Sequence, residues 1–347
     1  LHAGPPAPGM NTAVRAATRL AIDKGHEVLG IHNGFEGLLS GRIDELGWMS
    51  VSGYASRGGA ELGTNRSVPD AEQLSKLAER ISEYRIDGIL MIGGWAGYEA
   101  TYRIHQERHV LPALDIPIVC IPATINNNLP GSELAVGADT ALNNIVQAVD
   151  KIKQSAVASR RVFVVEVMGR YCGYLALMSG IAAGAERVYL HEEGISLKDL
   201  QADVDYLVDG FESGKRLGLM IRNEAANRFY TTDFMRSLFE EESEGLFDAR
   251  QAILGHLQNG GDPSPFDRIQ ATRLASQALT YLLDQLEGDS AESAFMGLVG
   301  GAIRFNPIEN FVEMADLELQ RPLEQWWLQL REIAHLLGRP GPKNSAG

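Results

Sequence analysis

Short apolar runs alternate along this chain with stretches in which apolar residues recur at helical spacing, and that alternation leaves few folds open. His26 to His32 (HEVLGIH), Ile86 to Ile92 (IDGILMI), Pro117 to Ile121 (PIVCI), Val162 to Val167 (VFVVEV) and Leu217 to Ile221 (LGLMI) read as buried strands. Each is bounded by Gly, Asn or charged residues, as parallel strands covered on both faces are. Between them, Ala138 to Lys153 sets Leu142, Ile145, Val146, Val149 and Ile152 on one helical face, with Asp139 as the expected N-cap. The pattern predicts an α/β protein with parallel sheets.

Composition narrows the function classes. A length of 347 residues suggests two domains or lobes, and 45% hydrophobic with 22% charged residues is the composition of a folded globular chain. No stretch approaches the ~18 consecutive apolar residues of a membrane span, so no membrane partner is expected. A net charge of −14 without a Lys/Arg-rich run argues against nucleic acid or an anionic membrane surface. Cys120 and Cys172 lie in apolar surroundings and read as a buried, reduced pair in a cytoplasmic protein. The Asn65-Arg66-Ser67 sequon is read as accidental. Leu1-His2-Ala3-Gly4 looks like the end of a strand entering a turn, so the chain is read as a piece cut inside its first strand.

In parallel α/β sheets ligands gather where strands end and helices begin. Such junctions carry Gly, Asn, Arg or Thr at Gly4 to Asn11, Gly93 to Tyr98, Pro122 to Gly131, Met168 to Gly173 and Gly255 to Gly261. The first feeds a helix N-terminus. That suits an anion or a plain turn equally, and its prolines remove donors. Gly93-Gly94-Trp95 lets a nucleotide approach the backbone, but Trp95 fills the space and no carboxylate is there for magnesium. Thr124-Ile125-Asn126-Asn127-Asn128 offers amides to a polyhydroxyl ligand, or else turn chemistry, and no base in either case. Arg160, Arg161, Arg170, Arg250 and His256 fall beside strands, where the guanidinium fork suits phosphate.

Taken in order, GPPAPGMN (Gly4 to Asn11), RGGAELGTNRS (Arg57 to Ser67), VGADTALN (Val136 to Asn143), RRVFVVEVMGRYCGY (Arg160 to Tyr174), RNE (Arg222 to Glu224), YTTDF (Tyr230 to Phe234), GHLQNGG (Gly255 to Gly261) and RPLEQWW (Arg321 to Trp327) resemble the ATP-dependent 6-phosphofructokinase family. The resemblance covers essentially the whole chain and is closest to the C-terminal half of the tandem eukaryotic form. It implies two lobes of the phosphofructokinase fold, each a mostly parallel sheet flanked by helices. A degenerate nucleotide-side lobe is expected over 1–137 plus about 258–303. A sugar-phosphate lobe is expected over about 138–257 plus 304–338, with a flexible tail over 339–347.

Catalytic relatives carry a base Asp in a TIDND segment, and the matching position here is Asn126. Their GGDGS turn is matched by Gly93-Gly94-Trp95-Ala96-Gly97, and the Asp of GGDAPG by Pro6. The resemblance therefore implies a half with no catalytic residue, no metal and no cofactor of its own. Magnesium and ATP are expected in a catalytic N-terminal half. A working phosphotransferase half with unorthodox chemistry is the alternative.

The sugar-phosphate pocket, by contrast, looks retained. The resemblance assigns sugar contacts to Thr124, Asn126, Asn128, Met168, Gly169 and Glu224. It assigns phosphate contacts to Arg161 and Arg250, reaching across from a neighbouring half, and to His256 with Arg321. Asn127, Arg170, Gln258 and Asn259, in the same segments, are expected to take part in binding the same sugar phosphate, Asn259 standing where catalytic relatives have Arg. Arg66 would meet a permanent second phosphate. The implied ligand is the activator fructose 2,6-bisphosphate, or fructose 6-phosphate, in a homo- or hetero-oligomer, a tetramer or larger.

Overall fold

The computed structural model describes residues 1–156, 159–288 and 291–338. The expected tail over 339–347 lies outside the described residues. The chain divides into two compact units, Leu1–Thr140 with Asn259–Glu324, and Ala141–Gln258 with the residues from Gln325 on.

The first unit opens with β1 (His2–Ala3), α1 (Met10–Asp23), β2 (Leu29–Ile31), α2 (Gly34–Leu39) and β3 (Ile43–Glu45). It continues through α3 (Ala71–Glu83), β4 (Ile89–Gly93), α4 (Trp95–Glu107) and β5 (Ile118–Pro122). The chain passes to the second unit within α5 (Ala138–Ala156) and runs β6 (Arg161–Val167), α6 (Tyr174–Ala183), β7 (Arg187–Tyr189), α7 (Leu197–Glu212), β8 (Leu217–Asn223), α8 (Thr232–Glu242) and β9 (Asp248–Ile253). It returns to the first for α9 (Pro265–Glu287), β10 (Ala294–Val299), β11 (Ala302–Pro307), α10 (Phe311–Met314), β12 (Ala315–Asp316) and β13 (Arg321–Pro322). Helix α11 (Arg331–Gly338) belongs to the second unit.

Local chemistry explains the element ends. Asp70 caps α3 by accepting from Gln73 N at 2.9 Å, while the Gln73 side chain accepts from Asp70 N at 3.0 Å. Leu74, Leu77, Ala78 and Ile81 then recur on one buried face. The first sheet has the order β1-β4-β5-β10-β11, parallel except for the β10–β11 hairpin. The second has the order β7-β8-β6-β9 and is wholly parallel. Each unit has its own apolar core, around Phe35, Tyr98, Phe295 and Phe311 in the first and Phe211, Met220 and Phe239 in the second. Neither Cys120 nor Cys172 forms a disulfide; both are buried, and burial pushes the Cys120 thiol up to about 12. Among the described residues no helix is long and apolar enough to cross a membrane.

Four of the predicted strands appear as β4, β5, β6 and β8. The fifth does not. Only Leu29–Ile31 of His26 to His32 is extended, and it pairs antiparallel with β3 in a separate two-stranded sheet. His26 and Glu27 are exposed, so the apolar run is too short for a covered central strand. The lobe boundary also differs from expectation: residues 304–324 cluster with the first unit rather than the second. Backbone pairing of β11 to β10, and burial of Ile308 and Phe311 in the first core, hold them there.

Asp139 is not the cap of α5 but a residue of its first turn. The cap comes from far along the chain. The buried Asp267 accepts from Gly137 N at 2.9 Å, Thr140 N at 2.8 Å and Thr140 Oγ1 at 2.5 Å. Asp267→Ala should lower unfolding free energy by about 2 kcal/mol, because buried helix-end donors lose a charged acceptor. Burial pushes the Asp267 carboxyl above its ordinary value, opposed by the bonds from Thr140 and Gly137. The folded chain then keeps this proton to a higher pH than the unfolded chain. Its contribution to stability therefore falls as pH rises from the ordinary carboxylate range, about pH 4, through the raised value. Denaturant melts at several pH values should show Asp267→Asn losing that component of the slope.

Candidate functional site

In the first unit the loop after η-turn residues 54–56 is fastened to the turn that precedes α1. Asn11, fully buried, donates to Arg57 O at 3.1 Å and Gly58 O at 3.0 Å and accepts from Glu61 N at 2.8 Å. Gly4 N donates to Asn65 O at 2.7 Å, and Thr64 Oγ1 donates to Gly4 O at 2.6 Å. These bonds occupy Gly4 N and the Asn11 side chain, two of the groups that an anion cradle over Gly4 to Asn11 could have used. They also fix Arg66, which is exposed and makes no hydrogen bond or ion pair among the described residues.

The turn between β4 and α4 is closed by packing. A Cβ on Gly93 would lie 2.0 Å from Ala3 O, so that position requires glycine, and one on Gly97 would lie 2.3 Å from Met91 Sδ and displace that side chain. Trp95 is buried, with its ring centroid 5.1 Å from that of Phe311. The turn holds no carboxylate, and no cluster of His, Cys, Asp or Glu suited to a metal occurs among the described residues. The donor set does not fit a magnesium–nucleotide complex.

The Asn-rich turn after β5 divides its labour. Asn127 sits in the left-handed region at φ 51°, and its carboxamide donates to Glu133 O at 2.8 Å and accepts from Ala135 N at 2.7 Å. The Asn127 amide thus closes its own loop. Asn128 Nδ2 donates to Gln320 O at 2.7 Å, tying the turn to the β12–β13 hairpin that carries Arg321. Thr124 Oγ1 accepts from Asn126 N at 3.2 Å. The half-buried Asn126 side chain makes no hydrogen bond among the described residues, which leaves an amide and no base at this position. Asn259, also in this unit, opens the segment leading to α9.

In the second unit a backbone turn follows β6. Gly169 adopts φ 138°, and a Cβ there would lie 2.3 Å from Cys172 O and 2.7 Å from Asn223 Nδ2. Glu224 Oε1 accepts from Gly169 N at 3.0 Å and Arg170 N at 2.7 Å. Gln258 is fully buried, accepting from Met168 N at 3.1 Å and donating to Gly255 O at 3.0 Å. It braces the turn from inside. His256 is exposed beside it, and Arg170 is exposed at φ 51°.

Sequence reasoning missed what holds Glu224. Arg222, on β8, is 2% exposed and donates to Glu166 Oε2 at 2.8 Å, Glu224 O at 3.1 Å and Asn227 O at 2.5 Å. Thr232 Oγ1 donates to the same Glu166 oxygen. Burial pulls the Arg222 guanidinium below its ordinary value, and Glu166 opposes that pull. The available signal was a charge in each of two otherwise apolar strands, Glu166 in VFVVEV and Arg222 after LGLMI.

The arginines do not all converge. Arg161 opens β6 and Arg250 lies opposite Phe163, so both belong to the amino-terminal part of this sheet. Met168, Gly169, Glu224 and His256 follow the carboxyl ends. At ~3.3 Å per residue, the strand separates Arg161 from Met168 by roughly 20 Å. Arg160 is turned elsewhere, donating to Phe211 O at 2.8 Å. A cavity of about 410 Å³ in the first unit, walled by Leu, Ile and Val of α1, β4 and α9, is lined by none of the candidate site residues.

Comparisons with known proteins agree with this architecture. The family model described as Phosphofructokinase matches residues 1–282. The ATP-dependent 6-phosphofructokinase of Dictyostelium discoideum is 46% identical over 337 residues, which is 96% of this chain and 40% of that protein. The muscle-type ATP-dependent 6-phosphofructokinase of Homo sapiens is 42% identical over 350 residues, 98% of this chain and 45% of that one. The phosphofructokinase structure from Saccharomyces cerevisiae superposes with a TM-score of 0.93 at 37% identity, covering 97% of this chain and 46% of the other. This chain thus spans less than half the length of these relatives.

Proposed function

Because the chain belongs to the phosphofructokinase family, we propose that it is the C-terminal, regulatory half of a tandem glycolytic ATP-dependent 6-phosphofructokinase. In the full cytoplasmic enzyme, fructose 6-phosphate and ATP become fructose 1,6-bisphosphate and ADP, with magnesium and ATP held by the N-terminal half. This half transfers no phosphate, and its former substrate pocket takes fructose 2,6-bisphosphate. The observation that carries the reading is Trp95, whose buried ring fills the turn where a catalytic half needs a metal-handling carboxylate.

Within the second unit, Arg161 and Arg250 lie too far from the Gly169–Glu224 turn to serve the same ligand as that turn. Their proposed role is to complete a neighbouring half's site, which makes the working form an oligomer. Each unit brings its own proposed ligand groups: Thr124, Asn126, Asn128 and Arg321 in the first, and Met168, Gly169, Arg170, Glu224 and His256 in the second. Asn127 and Gln258, also proposed as ligand groups, shape the backbone of their turns as well.

Arg66 is the proposed partner of the second phosphate, since it is exposed and makes no hydrogen bond or ion pair among the described residues. A charge-assisted hydrogen bond is worth about 1.5–3 kcal/mol, and ~1.4 kcal/mol is a decade in affinity. Arg66→Ala should therefore weaken fructose 2,6-bisphosphate by about tenfold or more and leave fructose 6-phosphate nearly unchanged. Calorimetry with both sugars on the assembled enzyme tests it. Equal losses, or none, would remove Arg66 from the site.

A further inference from the structure

Arg161 and Arg250 share one carboxylate oxygen. Register pairs Arg161 with Asp248 across β6 and β9, and strand alternation puts Arg250 on the same face as Asp248. Asp248 Oδ2 lies 3.8 Å from Arg161 Nε and 3.3 Å from Arg250 Nη2. Glu240 Oε2 lies 3.8 Å from Arg250 Nη1, which also donates to Ala249 O at 2.9 Å. The Arg161 guanidinium makes no hydrogen bond among the described residues, even through its buried Nε. Two guanidinia are thus gathered by a carboxylate that leaves the donors of one of them unused.

We propose that Asp248 is a built-in counter-anion for this arginine pair, holding the two guanidinia together and giving way when a phosphate dianion arrives. The proposal rests on the reading that these arginines serve a phosphate end, and it adds the residue that sets the concentration at which they load. Partly exposed ion pairs of this length are weak, so the exchange is inexpensive. A phosphate offers more charge and more acceptor oxygens to both forks than one carboxylate oxygen does. The displaced Asp248 side chain, 49% exposed, is already partly solvated.

The test is calorimetric titration of the full chain, in its assembled form and at low salt, with inorganic phosphate as the probe. Asp248→Asn should tighten phosphate about three- to tenfold, from the loss of two weak competing pairs. Arg161→Ala should abolish the measurable binding. Asp233→Asn removes the same charge from a pair with Arg236 elsewhere in the unit and should change nothing. Unchanged or weaker binding in Asp248→Asn, no phosphate binding in either protein, or an equal gain in Asp233→Asn would each overturn the proposal. A selective gain in Asp248→Asn, in a protein where fructose 2,6-bisphosphate neither binds nor displaces phosphate, would leave this inference standing. The regulatory reading would then fall by itself.

Discussion

Assayed by itself with fructose 6-phosphate, ATP and magnesium, the purified chain is expected to turn over at no more than about 10⁻⁴ of the rate of a complete phosphofructokinase half. A missing general base costs about 10²–10⁴, and Asn126 has no group that accepts a proton near neutral pH. On the regulatory reading the metal contacts, which carry most of the electrostatic stabilisation of phosphoryl transfer, are missing as well. Asn126→Asp alone should stay at background, because the buried Trp95 still fills the nucleotide turn. Replacing Trp95 as well removes a large ring from the first core, a change that typically costs about 3–5 kcal/mol. Single-turnover measurements with labelled ATP give the needed sensitivity. Turnover within a hundredfold of an active half would sink the regulatory reading and favour the alternative of an active half with unorthodox chemistry.

The second large effect is on stability. Arg222→Met should lower unfolding free energy by about 3–5 kcal/mol, since it leaves Glu166 with a charge and no cationic partner in a largely apolar strand. That is a large share of the roughly 5–15 kcal/mol that folded domains have. Combining it with Glu166→Gln should recover part of the loss, because the stranded charge is then removed too. Chemical denaturation of the single and double variants checks both statements. If Arg222→Met costs under 1 kcal/mol, then Glu224 is held by its own backbone and the buried pair has little part in placing it.

Much of the fold was legible in the sequence because it is written locally. Apolar runs such as IDGILMI and VFVVEV give strands, and the spacing of Leu142, Ile145 and Val149 gives a helix, wherever the chain places them. The readings that failed depended on partners elsewhere. HEVLGIH has strand composition, but its pairing with β3 in a separate ribbon is fixed by contacts absent from the segment itself. AFMGLV (β10) is as apolar as the predicted strands, but its place in the sheet beside β5 is set by a partner far away in sequence, and the polar DARQAI (β9) carries no strand signal. Asp139 looked like a cap by position, yet Asp267, more than a hundred residues later, supplies it.

The candidate site divides along the same line. By itself the sequence determined which side chains are present: an amide at 126 in place of a carboxylate, an indole at 95 and an arginine at 66. It therefore determined that position 126 offers no base, since no fold turns a carboxamide into one. Only the tertiary structure decided which polar groups remain to meet a ligand. Asn127 and Gln258 bond to backbone groups of their own turns, while Arg161 and Arg250 share Asp248 at the far end of the sheet from Gly169. The reason is physical. A residue's composition and periodicity are local, but its hydrogen bonds are claimed by whichever buried donor or acceptor the fold brings near, and leaving such a group unmet costs more than the surface contact it forgoes.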